Sequence, residues 1–395
     1  LRLFRDGQLG GQEPELAPEA EARLKNGVRL TPAELRAWQI ARRVKPIMGR
    51  VIVDPATGTL RRTFQVRLPH SKAGQKLPFT AYAFNEDRVK SATATNQDYE
   101  VPKQVMVVKP RAYLLSMGVN AYQNPAWNLH FAASDARIMQ EELQKRLDGQ
   151  YDIVPVMLIS DCKQEGCPAN GTRTIGENHA TKAALRAVLA RLAGHALTPE
   201  LQKSLPPGAE QLQKATPDDL VLLTVSSHGY TSTDGMFYLI PSDSGKTAGS
   251  SIDKRLFPGW ISSDELAVWM RDVDAGELAL IVDTCHSAAT VDSPGFKPGP
   301  MGSRGLGQLA YDKGMRILAA SQANDVALES DKIKQGFLTY ALVQEGLKEG
   351  KAAPTGSDGV IPLEAWLQYG VERVPKLFDD IRAGRIAVSY THLRA

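Results

Sequence analysis

A histidine and a cysteine each follow directly on an apolar segment of this chain. The segments 219–229 (DLVLLTVSSHG) and 277–287 (ELALIVDTCHS) are runs of aliphatic residues that end in reactive side chains. Uninterrupted apolar runs of this length are typical of strands buried on both faces of a parallel sheet. Functional groups in such sheets gather at the carboxyl ends of the strands. We therefore expect His228 and Cys285 to meet at one sheet edge, as nucleophilic cysteine catalysis requires.

Each residue of this pair has a definite chemical task. A thiol is only partly ionised near neutral pH, so Cys285 needs a base, and His228 is the candidate. Gly229 leaves its backbone N–H unobstructed, and together with the N–H of Cys285 it would form an oxyanion hole. His286 is a rival base by adjacency, but neighbouring strand residues point to opposite faces. The alternative is a buried structural cysteine and a hydrogen-bonded histidine.

The two motifs S-H-G and D-T-C-H-S resemble those of caspase-type cysteine peptidases, closer to the bacterial metacaspase branch than to animal caspases. Animal caspases have Gln and Ala where Asp283 and Thr284 stand here. The resemblance covers roughly residues 111–378 and departs at Ala288, where metacaspases usually have glycine. It implies a three-layer α/β/α caspase-like domain with a mainly parallel sheet, and a cysteine endopeptidase that works through a thioester.

The resemblance also implies an acidic pocket for the substrate residue before the cleaved bond, the P1 residue. Asp283 lies two residues before Cys285, so in extended geometry both face the same side. A carboxylate there opposes thiol ionisation unless a substrate cation matches its charge. In metacaspases this acid selects Arg or Lys, and Asp135 and Ser226 match two further pocket positions. The alternatives are a helix N-terminal charge for Asp135 and bonds to the backbone for Asp283 and Ser226.

A calcium site is a further implication of the resemblance, although the chemistry itself requires no cofactor. Asp243, Asp264 and Asp292 match the ligand positions of metacaspases, and calcium takes oxygen ligands from separate loops. Ser263 replaces an aspartate expected there, which would weaken the site. The alternative is three solvated loop acids.

The segment 293–307 is dense in Pro and Gly and predicts a loop. Loops at this place in caspase-fold enzymes are cut to activate them. Arg304 is therefore the candidate self-cleavage site, and the alternative is an uncut surface loop.

Cys162 and Cys167 lie in a polar loop (CKQEGCPANG), with His179 as the one histidine nearby. A small disulfide or half a metal site are alternatives, but we expect two unpaired thiols.

Strands alternate with helices in the second part of the chain, which predicts a three-layer α/β domain. Strands are expected over 111–122, 152–160, 219–229, 235–241, 277–284 and 315–323, and helices over 131–147, 181–194, 263–274 and 337–347. We assign residues 110–385 to this domain. The last residues, 387–395 (AVSYTHLRA), do not continue the helix pattern and resemble a translated sequencing adapter, so we exclude them.

Residues 1–105 form a separate β-rich unit by pattern. Alternating polarity predicts strands over 50–54, 59–68 and 77–85, with a polar linker over 92–101. These hairpins resemble an immunoglobulin-like β-sandwich, which we expect to be truncated. Because the chain starts at Leu1, we expect a longer parent chain with other domains, and localisation stays open.

The composition limits the classes of binding partner to expect. The net charge of +3 gives no reason to expect nucleic acid or acidic lipid. No apolar run reaches the roughly 18 residues that a membrane span needs. We expect a protein or peptide substrate cleaved after Arg or Lys. The alternative from another functional class is a catalytically silent caspase-fold scaffold that recruits partners, and a third option is a peptidase with acidic P1 choice, which Asp283 opposes by charge repulsion.

Overall fold

A mainly parallel sheet forms the centre of the structure. The computed structural model describes residues 1–12, 52–54, 59–61, 64–83, 89–103, 108–162, 175–232, 236–245, 254–284, 304–320, 333–383 and 385. Its strands are, in chain order, β1 (Arg2–Arg5), β2 (Gln8–Gln12), β3 (Ile52–Asp54), β4 (Thr59–Arg61), β5 (Phe79–Tyr82), β6 (Ala94–Asn96), β7 (Arg111–Val119), β8 (Asp152–Cys162), β9 (Ile175–Asn178), β10 (Leu220–Thr231), β11 (Phe237–Ile240), β12 (Ile261–Ser262), β13 (Glu277–Thr284) and β14 (Arg316–Ala320).

Helices connect these strands. They are α1 (Ala132–Leu147), α2 (Lys182–Ala193), α3 (Pro199–Lys203), α4 (Ser263–Arg271), α5 (Arg304–Lys313), α6 (Phe337–Thr339), which continues as the π-helix Tyr340–Lys348, and α7 (Leu363–Arg382). Short 3₁₀ turns occupy His70–Lys72, Pro125–Trp127, Ala209–Gln211 and Lys254–Gly259. Among the described helices, none has the length and apolar character needed to cross a membrane.

The central sheet joins β8, β7, β10, β13 and β14 in parallel, in that spatial order. β9 pairs antiparallel with β8, while β11 and β12 extend the far end of β10 with antiparallel pairing. The predicted mixed α/β unit with a mostly parallel sheet is therefore confirmed, and the segment between Met236 and Pro241 forms the expected short strand.

Apolar side chains cover both faces of this sheet. One face packs against α1, the π-helix and α7 through Leu114, Leu222, Ile281, Leu143, Leu342 and Trp366. The other face packs against α2 and α4 through Leu115, Leu223, Leu280, Leu189, Leu266 and Met270. Each fully buried leucine contributes roughly 1.5–3 kcal/mol of transfer free energy. This arrangement, which is compatible with a three-layer α/β fold, explains why the strands read as continuous apolar runs.

Local signals in the sequence set the start of α4 and the end of α2. Ser262 and Glu265 form a reciprocal capping box at the start of α4. Gly194 ends α2 in the left-handed conformation, with φ of 79°.

A second, antiparallel sheet has the strand order β2-β1-β5-β6. Its first hairpin turns at Asp6 and Gly7, whose φ values of 48° and 78° are those a two-residue turn between twisted strands requires. The predicted linker 92–101 is wrong in part, because β6 pairs with the edge of β5. The predicted strand 59–68 is also too long, because β4 ends at Arg61 and residues 64–68 make no strand pairing.

This antiparallel sheet is tied to the α/β unit by charged groups around Asp274. The carboxylate of Asp274 accepts from Arg5 Nη2 and from Arg67 Nε, both at 3.0 Å. Arg5 is buried, and so is Lys313 at the end of α5. Burial lowers the pKa of Lys313, and the charge of Asp274 opposes that change. Asp274 therefore supplies the negative charge that these enclosed cations need.

We expect Asp274→Ala to lower the free energy of unfolding by about 3 kcal/mol, because it leaves the buried cations Arg5 and Lys313 without their anion. Chemical denaturation measures this change. Asp98→Ala is the matched control, since its pair with Lys76 is exposed on both sides and contributes little. Equal stability of the two variants would contradict the role given to Asp274.

Candidate active site

Several residues predicted for the site lie together at the carboxyl end of the central sheet. β10 and β13 pair in parallel register up to Ser227 opposite Thr284. The next residue along the chain is His228 in one strand and Cys285 in the other. His228 is described, whereas Cys285, His286, Ala288 and Asp292 lie outside the described residues, so the geometry of the thiol itself stays a prediction.

His228 is held in a single orientation. The side chain is buried, and its Nε2 lies 2.7 Å from the carbonyl oxygen of Trp127. Because a carbonyl only accepts hydrogen bonds, Nε2 carries the proton and the lone pair of the neutral ring is on Nδ1. The backbone N–H of His228 donates to Tyr122 Oη at 2.9 Å, and the two rings stack with centroids 5.1 Å apart.

The turn that presents the Trp127 carbonyl is built by local chemistry. The side chain of Asn124 caps the 3₁₀ turn by accepting from the N–H of Ala126, and Pro125 occupies its first position. Asn128 Oδ1 accepts from the N–H of Tyr122 at 3.1 Å. Sequence reasoning missed both Tyr122 and Trp127. The Asn-Pro pair after the first strand signals a turn, but not which carbonyl it presents.

Because Gly245 has no side chain, the ring of Trp127 in this turn can pack directly against it. A Cβ on Gly245 would lie 2.7 Å from the Trp127 ring, and its φ of +91° also requires glycine.

Gly229 has a packing role beside the one predicted for it. A Cβ there would lie 2.9 Å from Thr284 Cγ2 and 3.0 Å from the Phe237 ring. Glycine therefore allows β10 to pass closely between the end of β13 and β11. Its oxyanion role stays a prediction.

The structure brings together the two acids of the predicted pocket. Asp135 and Asp283 are both buried and converge on Gly336, where a Cβ would lie 2.6 Å from Asp283 Oδ2 and 3.0 Å from Asp135 Oδ2. Asp135 Oδ2 accepts from the N–H of Gly336 at 2.9 Å. Asp283 Oδ2 accepts from both the N–H and the Oγ1 of Thr339, at 3.1 and 3.0 Å.

These contacts are compatible with the structural alternatives considered for the two acids as well as with a pocket. Asp135 lies in the first turn of α1, and Asp283 accepts from the backbone N–H of Thr339, the last residue of α6. Ser226 is buried and stands in register between Gly118 and Asp283, which puts it on the same sheet face. The acids and the serine therefore share one location, and a pocket function for them stays a prediction.

Two features hold α1, and with it Asp135, against the sheet. A Cβ on Gly118 would lie 2.5 Å from the carbonyl oxygen of Ala132, so only glycine lets the helix come this close. Asn120 accepts from the N–H of Ala133 at 3.1 Å and donates to the carbonyl oxygen of His130 at 3.2 Å.

The predicted calcium ligands are only partly described. Asp243 is exposed, and its Oδ1 accepts from the N–H of Lys182 at 3.3 Å. Asp264 lies in the first turn of α4, and Ser263 Oγ contacts Met236 Sδ. Within the described ranges, no group of three His, Cys, Asp or Glu side chains is arranged to hold a metal. Because Asp292 lies outside those ranges, the calcium site stays a prediction.

The predicted loop 293–307 is wrong at its end. Residues 304–307 do not belong to a loop, because α5 begins at Arg304 with the apolar Leu306 buried in the core. Self-cleavage at Arg304 stays a prediction.

Cys162 is disulfide-bonded, so the expectation of an unpaired thiol is wrong for it. It lies at the end of β8, and the antiparallel pairing of β8 with β9 brings the two ends of the loop between them together. The partner of Cys162 lies outside the described residues.

No protein-family model matches this chain, and no curated protein matches it. Among solved structures, it is similar to protein GSU0716 from Geobacter sulfurreducens, with a TM-score of 0.35 and 16% sequence identity. That match covers 67% of this chain and 89% of that chain. A similarity of this size carries no argument, so any function proposed for the site depends on its own geometry.

We expect Gly336→Ala to lower the free energy of unfolding by about 1–3 kcal/mol, because its methyl group would press on both buried carboxylates. Gly259→Ala is the matched control, since a Cβ at that position meets no atom within 4 Å. Denaturant titration of both variants measures the difference. A Gly336→Ala protein as stable as the control would show that the two acids are not held as described.

Proposed function

We propose that this chain is a cysteine endopeptidase of caspase-like, metacaspase-type fold that cleaves proteins after Arg or Lys. The observation that carries the proposal is the fixed tautomer of His228 beside the end of β13. Its Nε2–H is bound to the Trp127 carbonyl, and the lone pair of the neutral ring is therefore on Nδ1. Cys285 follows β13 directly in the sequence, one position after the last registered pair.

In the proposed reaction, His228 Nδ1 takes the proton of the Cys285 thiol, and the thiolate attacks the carbonyl carbon of the scissile peptide bond. The oxyanion that forms accepts hydrogen bonds from the N–H groups of Gly229 and Cys285. When the C–N bond breaks, His228 passes its proton to the leaving amine and a thioester remains. Water then gives a proton to His228 while its oxygen attacks the thioester, and the departing thiolate recovers that proton.

The proposed preference for Arg or Lys is supported by the two buried carboxylates. Asp135 and Asp283 both place a carboxylate oxygen within 3.0 Å of the point that a Cβ on Gly336 would occupy, so their negative charges lie close together. Like charges held close together in a low-dielectric environment repel, and a bound cation relieves that repulsion. A guanidinium or ammonium group at P1 would supply it, whereas an acidic P1 residue would add a further repulsion. Ser226 would complete the polar lining.

The remaining parts of the proposal are secondary. Calcium, if it binds, would use Asp243, Asp264 and Asp292 to order neighbouring loops, and self-cleavage would occur at Arg304. The strands β1 to β6 would belong to a truncated immunoglobulin-like module spanning residues 1–105, ahead of a peptidase domain at 110–385.

A catalytically silent scaffold is the second candidate, and one observation favours it. Both acids already accept hydrogen bonds from α6 or the residue before it, so they stabilise the fold without any substrate. The two candidates differ in whether Cys285 reacts.

We expect the protein to hydrolyse fluorogenic peptides that end in Arg or Lys and to leave matched Asp peptides intact. Cys285→Ala and His228→Ala should each abolish this activity, because one removes the nucleophile and the other its base. Assays with and without added calcium test the Asp243 site in the same experiment. Cleavage after Asp alone would refute the acidic pocket. A folded protein that cleaves none of the peptides would favour the scaffold.

We expect Asp283→Asn to reduce kcat/KM for Arg peptides at least roughly thirtyfold, which corresponds to about 2 kcal/mol for a lost buried charge pair. The asparagine side-chain oxygen can still accept from Thr339, so the fold should survive. Peptides with a neutral P1 residue should lose much less, and Asp98→Asn, at an exposed position, should change neither. An equal loss on charged and neutral peptides would contradict the charge argument.

A further inference from the structure

Tyr122 contacts the candidate base His228 in two ways. It is fully buried just after β7, and its Oη accepts a hydrogen bond from the backbone N–H of His228. Its ring also stacks on the imidazole, with an angle of 30° between the planes. Nothing in the sequence motifs of the site points to this residue.

We propose that Tyr122 is a positioning residue that fixes His228 and stabilises its protonated form. This inference rests on the proposed function, because it assigns a partner to the base of that same reaction. It concerns the moment when the proton of the thiol has moved to His228 and the ring carries a positive charge.

The hydrogen bond fixes the backbone where β10 changes neighbours. The registered pairing of β10 with β7 ends at Ser226, and from His228 onward the strand pairs antiparallel with β11. At this junction the N–H of His228 has Tyr122 Oη as its acceptor. The position of the imidazole along β10 therefore depends on a side chain from the loop after β7.

The stacked ring acts on the charge of the imidazole. The face of an aromatic ring carries negative charge and attracts a cation within about 6 Å, most strongly where water is excluded. The two centroids lie 5.1 Å apart, and both side chains are buried. The Trp127 carbonyl accepts from Nε2 in the ring plane while Tyr122 lies on a ring face, so two groups from one short segment favour the imidazolium.

Other titratable groups lie on the described elements around His228. Tyr230 lies two residues further along β10, Asp283 is next to last in β13 in register with Ser226, and Asp135 lies beside Asp283 at Gly336. The thiol of Cys285 follows β13 in the sequence. Because Tyr230 and Asp283 are unchanged in a Tyr122 variant, a shift seen there reports on Tyr122.

The test compares Tyr122→Phe with Tyr122→Leu by the pH dependence of Cys285 alkylation with iodoacetamide, followed by peptide mapping. Phe retains the aromatic face and loses the hydroxyl that accepts from the His228 N–H, so its rate should fall by no more than about threefold. Leu should react about tenfold more slowly at neutral pH, and its half-maximal rate should move up by about one pH unit, as expected for a lost cation–π contact. With Arg peptides, kcat should fall in the same order while KM changes little.

Two controls keep the result specific. Tyr113→Leu removes a different fully buried tyrosine, which lies within β7, and should leave the pH profile unchanged. Trifluorophenylalanine at position 122 keeps the shape of Phe but withdraws charge from the ring face, so it should react more slowly than Tyr122→Phe even if the Leu variant fails to fold. Equal profiles for these two aromatic variants would overturn the inference.

The outcome also separates this inference from the proposed function. If Cys285 of the unmodified protein reacts no faster than in His228→Ala, the dyad itself is refuted. If it reacts faster but Tyr122→Leu and the fluorinated variant match it, the dyad stands and Tyr122 has no part in it.

Discussion

The parallel register between β10 and its two neighbours is the constraint on which the site depends. Ser226 stands opposite Gly118 on one side and Asp283 on the other. Because side chains alternate along a strand, a slip of one residue would turn Asp283 to the opposite face, away from α1 and Asp135. The apolar residues on both faces resist that slip, since it would move every leucine of β10 into the wrong core cluster.

The two buried carboxylates beside Gly336 lose their hydration, which destabilises the fold. Hydrogen bonds from α6 and from the residue before it offset much of that loss. The N–H of Gly336 and the two donors of Thr339 supply hydrogen bonds at the positive end of a helix. These donors let α1 and β13 approach each other with both carboxylates enclosed between them.

Sequence patterns predicted the elements with strong periodicity and missed contacts that depend on tertiary geometry. The runs ending at His228 and Thr284 are apolar enough to identify buried parallel strands, and the Ser262–Glu265 box and Gly194 mark helix ends by local chemistry. The roles of Tyr122 and Trp127 could not be predicted in this way. Aromatic rings occur at many positions of a chain and every residue has a backbone carbonyl, so neither feature signals a contact with His228. Asp135 and Asp283 were paired through a family resemblance, since no local rule links residues so distant in sequence.

The weaker patterns failed for a physical reason of the same kind. Residues 94–96 (Ala-Thr-Asn) are exposed and carry no apolar alternation, and their pairing with the edge of β5 makes them a strand. Cys162 is disulfide-bonded, and no local pattern in the polar segment that follows it marks that bond.

The antiparallel sheet is attached to the amino ends of the central strands. Its contacts fall on Asp218, just before β10, and on Asp274 and Gly276, just before β13. His228 and Asp283 stand near the other ends of those strands, and β13 alone, at roughly 3.3 Å per residue, is about 25 Å long. A force applied to the antiparallel sheet is therefore passed to the amino ends of β10 and β13, and it reaches His228 and Asp283 only along the length of those strands.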